Sequence, residues 1–396
     1  MTRLWDKGGS LDARVLIYTA GDDYLLDNRL VAYDIRASIA HAEMLHAQNL
    51  LTAEDLAIIC SALTVIGAEH ASGAWAVTLE QEDSQTAIEN RLTERIGAAG
   101  GRLHAGRSRN DQVLAALRLY LRDAAHDLEH GALAVADSLD GLAARDGTIA
   151  LPGYTHMQQA MPSSVALWAG GYAAEIRDDA AGLMHAQRRI DKNPLGSAAG
   201  FGTPNLKLDR EATRQRLDFS VTQEPVTAVQ LSRGKAEAQL LFEITLLTQD
   251  MSRLAADLVL FYSQELKFVS LPAEFTTGSS IMPQKRNPDV FELIRGRSAV
   301  SVAALNEVLS ITQKLTSGYH RDLQLIKPPL FRGIDSCMQT LNILPPALNG
   351  VNFIAENIKL DSSIHAAAAA NALVAEQGIP FRDAYHQVAA KIKDPK

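Results

Sequence analysis

Leu240, Ile244, Leu247, Met251, Leu254, Leu258 and Phe261 recur at alternating steps of four and three residues. The mean step of about 3.5 residues keeps all seven on one stripe of an α-helix, with a slow drift that favours a gentle left-handed supercoil. A strand would throw alternate members to opposite faces, so this stretch is a helix. Val113, Leu117, Leu121, Ala124, Leu128, Val135, Leu139 and Leu142 repeat the pattern, as do Val165, Trp168, Tyr172, Ile176, Leu183 and Ile190. A further helix is expected from Pro288 to about Leu315. The spacing thus predicts an all-α chain, with five long helices between Asp111 and Asn349 packed side by side as a central bundle.

Shorter signals surround the bundle. Thr52 is placed as an N-cap, with Leu51 and Leu56 as a hydrophobic staple ahead of Ile59, Leu63 and Ile66. Gly97–Gly101 reads as a flexible break, and Pro345-Pro346 to Gly350 as the exit from the bundle. The Ala-rich run Ser363–Val374 is expected to be helical. These marks divide the chain into an N-terminal helical domain (1–105), the bundle (106–350) and a C-terminal helical domain (351–396). Trp168 and Tyr172 widen the apolar face of their helix, which suits a buried core helix and, in addition, an oligomer core.

Composition excludes several classes. Hydrophobic residues make up 47% of the 396 and charged residues 21%, a globular balance, and the net charge of −8 leaves no broad basic surface for nucleic acid. An anionic ligand would need locally gathered Arg, Lys and helix N-termini. Cys60 and Cys337 stand among apolar neighbours, as buried free thiols in a reducing cytoplasm would. No long apolar run suggests a membrane span, and Met1–Asp6 carries no apolar signal core. The His and acidic residues show no metal-ligand spacing, so no metal is expected.

The chemistry concentrates in a few segments. Gly278-Ser279-Ser280-Ile281-Met282-Pro283-Gln284-Lys285-Arg286-Asn287-Pro288 places a glycine hinge, two hydroxyls and a lysine before a helix start, with Asn287 as N-cap and Pro288 in the first helical position. Such a loop binds anions. His104–Gln112 includes Arg107, Ser108, Arg109 and Asn110 before a helix that starts near Asp111. Leu151–Gln158 holds Thr155 and His156 in a non-helical turn ahead of Pro162.

Together these segments resemble the signature loops of the fumarase/aspartase superfamily, enzymes that eliminate fumarate from substituted succinates. The second and third are similar to those of its argininosuccinate lyase branch, and the resemblance runs from about Leu4 to about Pro380. It implies a three-domain fold with a long-helix bundle, a homotetramer whose active sites draw on three chains, and no cofactor. It also implies a reaction, cleavage of argininosuccinate to arginine and fumarate.

That reaction sets demands on the site. Breaking a C–N bond beta to a carboxylate needs a base for a weakly acidic C–H, stabilisation of an aci-carboxylate dianion, and a proton for the departing nitrogen. By resemblance Ser279 is the base, with Ser280 as the alternative. Lys285 steadies the carbanion, although its charge would equally serve to ionise the serine. His156 is the acid–base partner, paired with Glu292 on the helix after the loop. Ser108, Arg109, Asn110, Thr155 and Asn287 are expected to bind substrate, with one of Arg107 and Arg109 held in a structural ion pair. Tyr319, Gln324 and Lys327 match the segment that grips the amino-acid end of the substrate.

Three positions depart from the family pattern. Gln85 stands where a histidine is usual after Glu82-Asp83-Ser84, Gly21 where a serine is usual, and Leu325-Ile326 where an acidic pair is usual. Each lost charged hydrogen bond would weaken binding by about one to two decades. The family normally continues past the position of Lys396, so either the C-terminal domain is shortened here or the sequence is a piece of a longer chain. Alternatives in view are a related lyase acting on another N-substituted aspartate, and a non-catalytic crystallin-like protein.

Overall fold

The computed structural model describes residues 12–392. The Met1–Asp6 stretch and the chain end at Lys396 lie outside them. The five expected long helices are present as Arg109–Asp146, Val165–Ile190, Lys235–Phe261, Asp289–Thr312 and Lys327–Asn349. The rest of the described chain is shorter helices, 3-10 turns and three two-stranded sheets. No helix among the described residues is long and apolar enough to cross a membrane.

The heptad-like stripe is the core. All seven members from Leu240 to Phe261 are buried, as are Leu117, Leu121, Leu128, Val135, Leu139 and Leu142 of the Arg109–Asp146 helix. Burying a side chain of this size stabilises by roughly 1.5–3 kcal/mol, so packing rather than local propensity holds these helices. The opposite faces are not all polar. Leu167, Phe242, Leu293, Val302 and Leu309 lie exposed on the same long helices, Leu167 at 69% and Leu293 at 60%.

The described chain forms two compact units, and the division falls within each of the five long helices. The first comprises the chain up to Glu129, Gly182–Thr245 and Val300–Ser336. Its N-terminal part packs the helices Val31–Ala47, Ala53–Ala71 and Ser84–Ile96 around Leu45, Ile59, Leu63, Ile66 and Leu92. Thr52 caps the second of these by accepting the Asp55 N–H at 3.0 Å, and Leu51 and Leu56 both join the cluster. Gly97–Gly101 proves to be a corner rather than a loose break. Gly97, at φ 63°, ends one helix, and Ala98–Arg102 begins another. A Cβ on Gly100 would lie 3.1 Å from the Leu92 and Thr93 backbone, so glycine permits the close turn.

The second unit comprises His130–Ala181, Leu246–Ala299 and Cys337 onward. Trp168 and Tyr172 both donate to Asp257, at 2.9 and 2.8 Å, and the Trp168 ring packs tilted against Phe261 and edge-on against Phe353. Their polar tips are thus satisfied inside an aromatic cluster. Pro345 and Pro346 lie within the last long helix, which runs on to Asn349. Beyond it, Ala366–Gln377 packs on Phe381–Ala389 through Ala370, Ala384 and Val388. Cys337 is a buried free thiol, its pKa raised by burial to about 12, while Cys60 is only partly buried.

Candidate active site

The loop before the longest helix is fixed by a reciprocal cap. Ser108 Oγ accepts the Asn110 N–H at 3.3 Å, and Asp111 accepts the Ser108 N–H at 2.9 Å. This capping box starts the helix at Arg109, two residues before the expected point. The second oxygen of Asp111 accepts the N–H groups of Gly196 and Ala198, at 3.0 and 2.9 Å. One buried carboxylate therefore ties the Ser108 loop to a second loop. Burial lifts its pKa to about 6, against the pull of those three N–H groups and of Arg107.

Both arginines of the loop make internal contacts. Arg107 donates to Ser38 at 2.9 Å. Arg109 reaches Asp83 at 3.1 Å and Thr86 at 2.6 Å. Asp83 is also the N-cap of the Ser84–Ile96 helix, accepting the Thr86 N–H at 2.8 Å. Arg109 thereby clasps one helix start to another and forms part of a cavity wall.

That cavity, of about 220 Å³, lies in the first unit. Of the expected substrate-binding residues, Arg109, Asn110, Tyr319, Gln324 and Lys327 line it, together with Gln85. Ser108 sits at the helix start beside it. Asn110 offers its side-chain amide there, with no hydrogen bond of its own among the described residues. Gln324 is held by the carbonyls of Thr19 and Ala20, at 2.9 and 3.1 Å.

Lys327 reads in sequence as a solvated loop lysine once the resemblance is set aside. In the fold it opens a helix, only 3% exposed, between Asp23 at 2.8 Å and Asp27 at 2.7 Å. The two carboxylates hold its proton well above the usual lysine range, and burial lifts the Asp23 carboxyl to about 7. Asp23, Glu82, Asp83, Arg233 and Arg321 also line the cavity. Glu82 and Asp83 belong to the Glu82-Asp83-Ser84 stretch, and Arg321 lies between Tyr319 and Lys327. Asp23 and Arg233 carried no local signal.

The departures from the family pattern acquire physical reasons. Gly21 has φ 51°, where an L side chain is strained, and a Cβ there would lie 3.8 Å from the Gln324 amide. Ile326 is fully buried in the core and Leu325 is exposed, and neither lines the cavity. Gln85 is buried and donates to Ser84 at 2.9 Å, which in turn donates to Asp34 at 3.2 Å. Asp34 is raised to about 7 by burial.

The remaining expected residues lie in the second unit. Thr277 and Asn287 form an antiparallel bridge, with N–H to carbonyl distances of 3.1 and 2.9 Å, which closes the Gly278–Arg286 loop at its base. Ser279 Oγ accepts the N–H groups of Ile281 at 3.4 Å and Met282 at 3.2 Å. Ser280 and Lys285 are exposed on the same loop. The helix begins one residue later than expected, at Asp289. The Pro288 carbonyl accepts the Glu292 N–H, so Pro288 flanks the helix and Asn287 closes the loop instead of capping. Glu292 lies 3.6 Å from Arg295 and makes no contact with His156 within the chain.

Thr155 and His156 stand at the tip of a β-hairpin formed by Ala150–Thr155 and Gln158–Ser164. Thr155 pairs with Gln158, which leaves His156 and Met157 as a two-residue turn at φ 53° and 60°. Turns of this kind prefer Asn-Gly. Here the strained positions carry a histidine and a methionine that are both exposed, so the hairpin displays the imidazole instead of packing it.

The profile of the lyase family matches residues 10–302. The argininosuccinate lyase of Sorangium cellulosum is 46% identical over 391 residues, 98% of this chain and 90% of that protein. That of Thermotoga neapolitana is 41% identical over 392 residues, 98% of each. Among solved structures, an EDDS lyase superimposes with a TM-score of 0.79 at 23% identity, over 96% of this chain and 76% of that one. The last comparison shows the shared long-helix fold. The first three show more: the chain belongs to the lyase family, in its argininosuccinate lyase branch.

Proposed function

We propose that the chain cleaves argininosuccinate reversibly to arginine and fumarate, a carbon–nitrogen lyase of arginine biosynthesis acting in the cytoplasm. The full-length identity to argininosuccinate lyases carries this reading. In the reaction Ser279, as its alkoxide, takes a proton from the carbon next to the substrate carboxylate. The electron pair moves onto that carboxylate, giving the dianion. It then returns to form the carbon–carbon double bond as the C–N bond breaks and the guanidino nitrogen is protonated. Two N–H groups aimed at Ser279 Oγ support its choice over Ser280, because donors stabilise an alkoxide. Lys285 supplies positive charge for the developing dianion.

His156 acts as the acid or as its relay, with Glu292 as its orienting carboxylate. That pairing, absent within one chain, fits a site completed by neighbouring subunits. The substrate is bound by Ser108, Arg109, Asn110, Thr155, Asn287, Tyr319, Gln324 and Lys327. The exposed leucines of the long helices support a homotetramer with sites shared between chains. A division at about 105 and 350 into three domains accompanies this reading.

Following fumarate by its ultraviolet absorbance with a panel of N-substituted aspartates tests the assignment. Fumarate and arginine should appear in equal amounts from argininosuccinate. Fumarate from adenylosuccinate but not from argininosuccinate would overturn the reading, and tight binding without turnover would favour a structural role.

A further inference from the structure

The cavity wall carries opposite charges side by side. Lys327 Nζ is held between Asp23 and Asp27. Asp27 is fully buried, and its second oxygen accepts the Ser84 N–H at 3.2 Å, so both its oxygens are committed to the protein. Asp23 differs. It lines the cavity, its contact with Lys327 uses Oδ2, and Oδ1 makes no hydrogen bond among the described residues. The other cavity acids are engaged. Asp83 gives one oxygen to Thr86 and the other to Arg109, and Glu82 lies 3.9 Å from Arg321.

Two carboxylates against one ammonium leave this part of the wall one cation short when all three are ionised. A buried excess charge calls for a partner or for a proton. The raised carboxyl of Asp23 is the second response, and a bound cation would supply the first.

We propose that Asp23 is a specificity-determining residue that accepts the α-ammonium of the substrate's amino-acid end, beside Lys327, which takes the α-carboxylate. An α-amino acid presents both charges on one carbon, and adjacent opposite charges on the wall match it. A lysine alone would take any carboxylate. The inference rests on the argininosuccinate reading above, and adds the group that tells an α-amino acid from a plain guanidino acid.

The reverse reaction tests it with the purified full-length chain. Fumarate is supplied with arginine, or with des-amino arginine, the same guanidino acid lacking its α-amino group. In Asp23→Asn, KM for arginine should rise about tenfold or more, as expected for a lost charged hydrogen bond, while kcat changes by less than about threefold. KM for des-amino arginine should stay unchanged, so the preference for arginine collapses. Equal loss for both acids would assign Asp23 a structural role through Lys327, and no loss would remove it from recognition. Either result overturns the proposal. If circular dichroism shows that Asp23→Asn does not fold, Asp23→Ser carries the same comparison with the same criteria. A wild-type chain that adds neither acid to fumarate overturns the parent reading, and the inference with it. A wild-type chain that works while the variant keeps its preference overturns the inference alone.

Discussion

At the scale of single residues, a serine becomes a base only where its surroundings favour the alkoxide. Ser279 has two backbone donors on its oxygen, and its neighbour Ser280 has none. Ser279→Ala should therefore lower kcat by about 10²–10⁴-fold or more, with circular dichroism and assembled mass unchanged. Ser280→Ala should stay within about tenfold of wild type. The reverse ranking would move the role to Ser280. Sequence marked both hydroxyls and left them open, because the difference lies in which backbone N–H groups turn back on the loop. Lys327 shows a second kind of limit. Its partners lie some 300 positions earlier in the chain. Nothing local to Lys327 announces a buried ion cluster, so local reading gives a solvated lysine.

At the scale of elements, the helices were legible because core burial repeats at their own period. Their ends were less so. Asn287 was expected to cap a helix and instead closes a loop, while Ser108 and Asp111 form a capping box two residues earlier than the expected start. Side chains that satisfy loops compete with those that satisfy helix ends, and only the fold decides between them. Asp111 gives this scale a pH signature. The folded chain holds its proton up to about pH 6, against an ordinary 3.8. Its contribution thus favours the fold below about pH 4 and is lost as pH rises through about 6. Two pH units correspond to about 3 kcal/mol. Asp23 and Asp34, raised to about 7, add to the decline over the same range, so urea unfolding from pH 4 to 7 should fall more steeply in wild type than in Asp111→Asn, with a difference of that order between the two. The same loop contains Gly106 at φ 70°, with Leu208 2.8 Å from where a Cβ would stand. Gly106→Ala should cost on the order of 1–3 kcal/mol, read as a lowered urea midpoint.

At the scale of the whole molecule, the chain leaves large apolar side chains such as Leu167 and Leu293 in solvent. Sequence suggested helices apolar on more than one face. It did not say which residues would face outward, since heptad stripes for the core and for a partner look alike. Light scattering should give a mass four times the 42.8 kDa of one chain. On the proposed reading of sites shared between chains, Leu293→Glu should shift it to smaller species and reduce activity in step. The central claim is that loops from different subunits complete one catalytic centre. Mixing Ser279→Ala and Asn110→Ala chains, after dissociation and reassembly together, tests this most directly. Each parent should be nearly inactive, and the mixture should regain argininosuccinate cleavage, because some sites would draw an intact Ser279 loop and an intact Asn110 loop from different chains. Mixed assemblies that form but stay inactive at every ratio would contradict it.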